Sequence, residues 1–405
     1  IPGNWCEWGY CTLFKEVEYA GIKLKNPFVV ASGPPGATVE RLVRAEDGGA
    51  AAVSVKLTFV KQPFYGRLRM YSKPGDASIV CHDRRLDMEE GFELVRQGKE
   101  RTELKLFANI THPAEDLDGW VTLARGYEQA GADAIELNLI CPNITFSERR
   151  MGRDTDKSHG AVIGQHPEII ETVVRAVRDA VKIPVFAKLT PNVNDITVTA
   201  KAAVRGGASG IVMAGGQSAL PRVDIHGGGR PLGAYCCDGY SFGSMGGPGI
   251  IHQSFALTAQ LARAVDVPIT AGGGLSTWED GIMFMMWGAT LVTACTVLMW
   301  EGFGAAKTIV DGMERFMEEK GYSSWDDIRG LSLRYLKPAR ELEVVPGTAV
   351  IDEAKCIACL KCVGLAHCDA IIEEGGMPKV LPEKCVACGI CVGVCPVEAI
   401  DVVPC

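Results

Sequence analysis

The chain has 405 residues, of which 47% are apolar and 22% charged, and its formal net charge is −8. This length predicts a large domain joined to a smaller one. A mildly acidic chain without a basic stripe argues against nucleic acid as a partner. No apolar run approaches the ~18 residues of a membrane span, and the sequence has no charged-then-apolar start. We therefore expect neither a membrane-spanning segment nor a signal sequence.

Short β-branched runs alternate with amphipathic stretches from about residue 20 to residue 320. Two of these stretches, 167–182 and 251–265, have the apolar spacing of helices. Eight strand–helix units predict a (β/α)8 barrel, with a doubly wound open sheet as the alternative. No strand candidate precedes the G-x-G-x-x-G turn that would favour the open sheet. The strand candidates are 28–32, 51–56, 104–110, 133–139, 185–190, 210–215, 268–273 and 289–295.

Polar side chains occur at the carboxyl ends of several strand candidates. Barrels of this kind place their catalytic residues at these ends. Lys56, Asn109, Asn138 and Lys188 all occupy such positions. A strand-end surface charge is the alternative for either lysine, but two lysines within apolar runs favour a site that holds a cofactor.

Two glycine clusters flank the seventh strand candidate, at 246–249 and 272–274. Phosphate sites in these barrels form near the last strands, where unhindered backbone amides can donate to a phosphate. A plain tight turn is the alternative for each cluster, but together they predict a phosphate-bearing cofactor. The predicted cofactor-binding residues are Ala31, Ser32, Lys56, Asn109, Lys188, Gly247, Gly249, Gly273 and Gly274.

Nine of the 16 cysteines lie in the last 50 residues, where 385–396 reads CVACGICVGVCP. This is the C-x2-C-x2-C-x3-C-P pattern of ferredoxins with two clusters, in which the fourth cysteine binds the other cluster. The run 356–368 departs from it, with five residues before its last cysteine and Asp369 in place of proline. Paired zinc sites are the alternative. We predict two 4Fe–4S clusters, one held by Cys356, Cys359, Cys362 and Cys395, the other by Cys368, Cys385, Cys388 and Cys391.

A dense cysteine tail on a long chain indicates metal binding in a reducing compartment, so we expect a cytoplasmic protein. We predict an aromatic N-terminal extension (1–19), the barrel (20–335), a linker (336–349) and a small α+β ferredoxin-like domain (350–405).

A phosphate site combined with iron–sulfur clusters indicates a cofactor that exchanges one or two electrons, and flavin mononucleotide (FMN) meets both requirements. The loop after the fourth strand candidate then gains importance, since it places Cys141 beside Asn138, Pro142 and Asn143. A thiol near a flavin can act as an acid or base, whereas a lone cysteine is otherwise a small core residue. Its polar neighbours favour catalysis by Cys141.

Several of these motifs together resemble the dihydropyrimidine dehydrogenase family. They are NLICP at 138–142, FAKLTPN at 186–192, GGPG at 246–249 and AGGG at 271–274. In that family a dihydroorotate dehydrogenase-like FMN barrel is followed by two 4Fe–4S clusters, and the resemblance extends from about residue 16 to the end of the chain.

The resemblance implies FMN in the barrel, with Lys56 and Lys188 in contact with the flavin. It also implies that Cys141 gives or takes a proton at a substrate carbon and that Asn138 hydrogen-bonds the substrate. The clusters would carry electrons from an NAD(P)H-oxidising flavin subunit or another electron-transfer protein, so we expect a hetero-oligomer.

The substrate pocket departs from the family pattern in three places. Ala214-Gly215-Gly216 replaces a Thr-Asn-Thr run that grips the pyrimidine ring, the segment His112–Glu115 replaces an asparagine, and the segment Arg153–His159 lengthens a loop. Since a buried unpaired polar group costs about 1–3 kcal/mol, these losses argue against uracil or thymine. His112, His159 and Arg153 become candidate substrate contacts, with solvated loop residues as the alternative.

We therefore expect an oxidoreductase that reduces or oxidises a C=C/CH–CH bond of a cyclic or conjugated small molecule. The alternative is an electron-relay subunit without an organic substrate at its own flavin. The Asn138/Cys141 pair counts against a relay, because a relay needs no acid.

Overall fold

A computed structural model describes residues 16–62, 66–141, 152 and 159–405. The chain divides into two compact units between Tyr335 and Leu336. Within the described ranges, no helix is both long enough and apolar enough to cross a membrane. The predicted N-terminal extension lies outside these ranges for residues 1–15, as do Pro142, Asn143 and Arg153.

A ring of eight parallel strands forms the centre of the first unit. The ring is closed, since β10 pairs with both β9 and β11. The first unit contains β1 (Val17–Tyr19), β2 (Ile22–Leu24), β3 (Phe28–Val30), β4 (Ala52–Ser54), β5 (Thr58–Phe59), β6 (Arg69–Lys73), β7 (Ala77–His82), β8 (Leu86–Asp87), β9 (Lys105–Ile110), β10 (Ala134–Leu139), β11 (Val185–Leu189), β12 (Gly210–Met213), β13 (Ser218–Ala219), β14 (Val223–Asp224), β15 (Arg230–Pro231), β16 (Gly243–Gly246), β17 (Ile269–Gly272) and β18 (Leu291–Ala294). The ring order is β3-β4-β9-β10-β11-β12-β17-β18. This closed ring confirms the predicted barrel and excludes the open sheet.

Helices follow most of the barrel strands, and their apolar faces supply the buried core outside the ring. They are α1 (Val39–Asp47), α2 (Met88–Arg101), α3 (Leu117–Gln129), α4 (Pro167–Ala180), α5 (Ile196–Gly206), α6 (Ile251–Ala264), α7 (Trp278–Met286), α8 (Thr296–Glu301) and α9 (Gly304–Lys320). Local signals fix several starts: Thr38 caps α1, and Pro167 opens α4 where its missing N–H costs nothing. The predicted helices 167–182 and 251–265 match α4 and α6 closely.

Three antiparallel additions complete this unit, one of them the short β14–β15 pair. The hairpin β1–β2 crosses the predicted boundary at residue 19, and the fully buried Tyr19 hydroxyl lies 3.2 Å from the carbonyl oxygen of Ile211. A four-stranded sheet of order β13-β16-β7-β6 joins two barrel connections, those after β4 and after β12. The sequence patterns did not predict this sheet.

The second unit contains two antiparallel strand pairs and one short helix. These elements are β19 (Gly347–Ile351), β20 (Ile371–Glu374), β21 (Met377–Val380), α10 (Ile390–Val394) and β22 (Ile400–Pro404), with β19 paired to β22 and β20 to β21. The two cysteine runs share one feature of the backbone. Ala358 and Ala387 occupy the same place in each run, and both have left-handed backbone angles, with φ of 53° and 56°.

Candidate active site

A cavity of about 440 Å³ opens at the carboxyl ends of the barrel strands. This volume lies within the range of about 300–1,000 Å³ that small-molecule sites occupy. The position is the one that chemistry occupies in barrels of this kind.

Most of the barrel residues that the sequence predicts for the site line this one cavity. Those present are Ala31, Ser32, Lys56, Asn138, Cys141, Lys188, Gly247, Gly273 and Gly274, together with Ala214, Gly215 and Gly216 of the altered pyrimidine run. Apart from Gly247, which follows β16, they come from the ends of six barrel strands. The closed ring thus brings together residues that are up to 243 positions apart, as Ala31 and Gly274 are.

Four predicted residues lie outside the cavity lining, namely Asn109, Gly249, His112 and His159. Asn109 is fully buried and contacts other side chains of the barrel interior. His112 pairs with Asp116 through a 2.8 Å contact, and this hydrogen bond lowers the pKa of the Asp116 carboxyl. The His159 ring lies 6.1 Å from the Phe59 ring. The roles first predicted for these residues stay predictions.

Each cavity lysine is paired with a buried carboxylate. The Lys188 ammonium lies 3.4 Å from Oε1 of Glu136, and both side chains are buried. The Lys56 ammonium contacts Asp83, and Arg85 lies 3.7 Å from the same carboxylate. Burial lowers the pKa of Lys56, and the Arg85 cation lowers it further, against the opposing effect of Asp83. Both cations therefore have fixed positions at the cavity wall.

Asn138 fixes the loop that carries Cys141. Its Oδ1 accepts hydrogen bonds from the backbone amides of Ile140 and Cys141, at 3.1 and 2.7 Å. Its Nδ2 donates to Oδ1 of Asn109 at 2.8 Å. One side chain thus joins the barrel interior to the half-buried thiol at the cavity.

The glycine clusters bring bare backbone to the cavity, which is what a phosphate or a flat ring requires. A Cβ atom on Gly273 would come within 2.8 Å of Ser254 and 3.1 Å of the Gly215 amide nitrogen, and its φ of +91° disfavours any side chain. At Gly215 a Cβ atom would meet nothing within 4 Å. Close packing at the first position and open space at the second suit a bound nucleotide with a substrate beside it.

Sequence reasoning missed four cavity side chains and one residue behind them: Asp83, Arg85, Cys81, Cys295 and Glu136. Glu136 had a usable signal, since it is a carboxylate inside the apolar strand AIELNL. Cys295 had none. Burial raises the pKa of its thiol to about 11, although Lys56 and Lys188 favour the thiolate.

The eight tail cysteines fall into two sets in the second unit. Cys356, Cys359, Cys362 and Cys395 line one small cavity, and Cys368, Cys385, Cys388 and Cys391 line another, which Cys362 also borders. Backbone amides donate to their sulfurs: Ala399 to Cys395 at 3.2 Å and Ala349 to Cys385 at 3.3 Å. Hydrogen bonds from backbone amides, chiefly those of Ala387 and Ala399, lower the pKa of Cys385 and Cys395. Thiolates held in this way are suitable metal ligands.

The barrel, its cavity and the cysteine-rich unit are typical of a redox enzyme that combines a nucleotide-type cofactor with iron–sulfur chemistry. Comparison with protein families gives a match to dihydroorotate dehydrogenase over residues 14–317 and to the 4Fe–4S binding domain over residues 378–401. The chain belongs to the dihydroorotate dehydrogenase family, which makes it an FMN and iron–sulfur oxidoreductase. The predicted family resemblance and enzyme class are thus confirmed.

Individual relatives span most of the chain. It is 33% identical to the catalytic subunit of dihydroorotate dehydrogenase B (NAD(+)) from Pyrococcus horikoshii, over 79% of this chain and 98% of the relative. It is 30% identical to the NAD-dependent dihydropyrimidine dehydrogenase subunit PreA from Escherichia coli K12, over 85% of this chain and 84% of the relative. The chloroplastic dihydropyrimidine dehydrogenase (NADP(+)) of Arabidopsis thaliana is 29% identical, over 80% of this chain and 78% of the relative.

Proposed function

We propose that this chain reduces or oxidises a carbon–carbon bond of a cyclic or conjugated small molecule at an FMN held in the barrel cavity. Two 4Fe–4S clusters would exchange electrons with a partner. The observation that carries the proposal is the convergence of Cys141, Asn138, Lys56 and Lys188 on one cavity with bare glycine backbone.

The residues present suit FMN. Backbone amides at Gly247, Gly273 and Gly274 would bind the phosphate, and the two buried lysines would supply positive charge beside the ring. When bound, FMN supplies the hydride chemistry that no side chain offers.

Cys141 would transfer the proton to or from the substrate. Its thiol would donate a proton to the substrate carbon during reduction and accept one during oxidation, so that one hydride and one proton are added or removed across the bond. The 2.7 Å bond from the Cys141 amide to Asn138 holds the loop, so the thiol is presented from a fixed backbone. Such an acid serves an organic substrate and has no use in a pure relay.

The arrangement of the cysteines supports two clusters. Each set of four surrounds its own cavity. Three cysteines at two-residue spacing in each run, with a fourth further along the chain, fit the ligands of a cubane and exceed what a tetrahedral zinc site needs.

The substrate would differ from a simple pyrimidine. Ala214, Gly215 and Gly216 offer no side-chain donor or acceptor to a ring with paired amides, and the space beside Gly215 is open. Apolar side chains including Leu57, Ile140 and Phe242 also line the cavity, beside polar ones such as Arg85 and Ser244. A bulkier or less polar acceptor suits this lining.

For the electron partner we propose an NAD(P)H-oxidising flavin subunit or another electron-transfer protein. The names of two relatives support this choice, since each describes a subunit of an NAD-linked dehydrogenase.

A reoxidation screen tests the function. Anaerobically purified chain is photoreduced and mixed with uracil, with other unsaturated N-heterocycles and with cyclic enones, and the flavin absorbance is followed. We expect an unsaturated acceptor other than uracil to reoxidise the flavin. If the flavin stays reduced with every organic acceptor and is reoxidised only by one-electron carriers, the chain is a relay.

A further inference from the structure

Glu136 is a buried carboxylate behind the cavity wall. It lies on β10 two residues before Asn138, is 3% exposed and does not line the cavity. A carboxylate in the interior needs partners to offset its desolvation. Its Oε1 accepts hydrogen bonds from Ser54 at 2.7 Å, from Nδ2 of Asn109 and from Lys188 at 3.4 Å.

One branch from Glu136 leads to Lys188. The strand register places Asn138 opposite Lys188, and Lys188 lies at the cavity wall with 5% of its surface exposed. A buried ammonium is stable where a carboxylate faces it. The position of the Lys188 ammonium therefore depends on Glu136.

The second branch leads to Cys141. Asn109 stands opposite Glu136 in the β9–β10 register and contacts it. Asn109 accepts a 2.8 Å hydrogen bond from Asn138, which in turn accepts one from the Cys141 amide at 2.7 Å. Hydrogen bonds thus connect Glu136 to the loop without a break.

We propose that Glu136 is a positioning residue that sets both the Lys188 ammonium and the Cys141 loop from behind the cavity. The inference rests on the proposed function, because Lys188 and Cys141 belong to the proposed site. Glu136 itself acts only through these neighbours.

The test combines Glu136→Gln with Lys188→Met. Gln keeps the size of the side chain and removes its charge, so the Lys188 ammonium loses its buried counter-ion and is held less firmly at the cavity wall. We expect the FMN dissociation constant, measured on cluster-containing protein, to rise about tenfold. In the Lys188→Met background the same change at Glu136 should weaken FMN binding less than twofold, because the residue it acts through is gone.

The loop branch has its own readout, the alkylation rate of the Cys141 peptide by iodoacetamide, followed by mass spectrometry. Asn109→Leu interrupts this branch between Glu136 and Asn138, and we expect a change of at least about threefold in that rate. Ser54→Ala is the matched control, since it removes a bond to the same oxygen but lies on neither branch.

The outcomes separate cleanly. The inference is overturned if Glu136→Gln leaves both FMN affinity and Cys141 alkylation at wild-type values. It is also overturned if Glu136→Gln weakens FMN binding by the same factor in the wild-type and Lys188→Met backgrounds. If Glu136→Gln does not fold, unchanged alkylation in Asn109→Leu overturns it instead. A wild-type chain that binds no FMN overturns the proposed function itself.

Discussion

Asn138 accepts a 2.7 Å hydrogen bond from the backbone amide of Cys141, three residues further along the chain. This contact converts a short sequence motif into a fixed loop geometry. It ties the backbone of the predicted acid to a barrel strand.

Replacement of the thiol tests the role of Cys141. A positioned acid contributes about 10²–10⁴-fold to the rate, so Cys141→Ala should lower turnover by that factor. Cys141→Ser keeps a weak proton donor and should retain more activity. Steady-state turnover with the acceptor found in the screen measures both.

The flavin spectrum serves as the control, because Cys141 is expected to act on the substrate and not to hold FMN. Turnover of Cys141→Ala at the wild-type level, with the flavin bound, would contradict the assigned role.

We predict that stability and FMN affinity both depend on pH through Lys56. Burial and the Arg85 cation lower the pKa of Lys56 below its ordinary value of 10.5, so the folded chain releases this proton before the unfolded chain does. The contribution of Lys56 to the free energy of unfolding should therefore increase with pH between its lowered pKa and 10.5. Over the same window FMN affinity should fall, because a cation at the cavity is lost.

Measured FMN dissociation constants between pH 7 and pH 10.5 check this prediction against the Lys56→Met variant, whose affinity should lack the fall. A wild-type affinity that stays flat until pH 10.5, the ordinary lysine value, contradicts it.

Cys295 should be an unreactive thiol. Burial raises its pKa to about 11, so almost none of it is thiolate at pH 8, and the thiolate is the form that reacts. Iodoacetamide should label the exposed Cys405 peptide quickly and the Cys295 peptide slowly, with the Cys295 rate increasing as the pH approaches 11. Equal labelling of both peptides at pH 8 would show that Cys295 is not buried in this way.

The tail cysteines predict two clusters that can be removed separately. Wild-type protein should contain about eight iron and eight acid-labile sulfide atoms, and Cys388→Ser should retain about four of each, because the set around Cys356 is intact. Cys405→Ser, outside both sets, is the matched control and should keep all of them. Zinc in place of iron after anaerobic purification would contradict the assignment.

Much of this architecture is readable from sequence because it depends on local signals. Eight apolar runs mark the barrel strands, paired glycines mark places where backbone must come close to other atoms, and cysteine spacing separates two ligand sets. Each signal requires only neighbours in the chain, and the ring of strands then brings the strand ends to one cavity.

The partners of the lysines were not readable in the same way. Lys188 meets Glu136 across 52 residues, and Lys56 meets Asp83 across 27, through strand register and a loop path that no local pattern specifies. Asn109 illustrates the limit, since its strand-end position suggested contact with a cofactor. No local pattern showed that its side chain also bonds Glu136 and Asn138.

The central claim is that the barrel cavity holds FMN, and quantification of bound flavin tests it most directly. Anaerobically purified chain, reconstituted with FMN and freed of excess by gel filtration, should be yellow-brown and release one FMN per chain on acid treatment. The Lys188→Met variant, treated alongside, should retain less. Wild-type protein that releases no flavin after reconstitution would contradict the account.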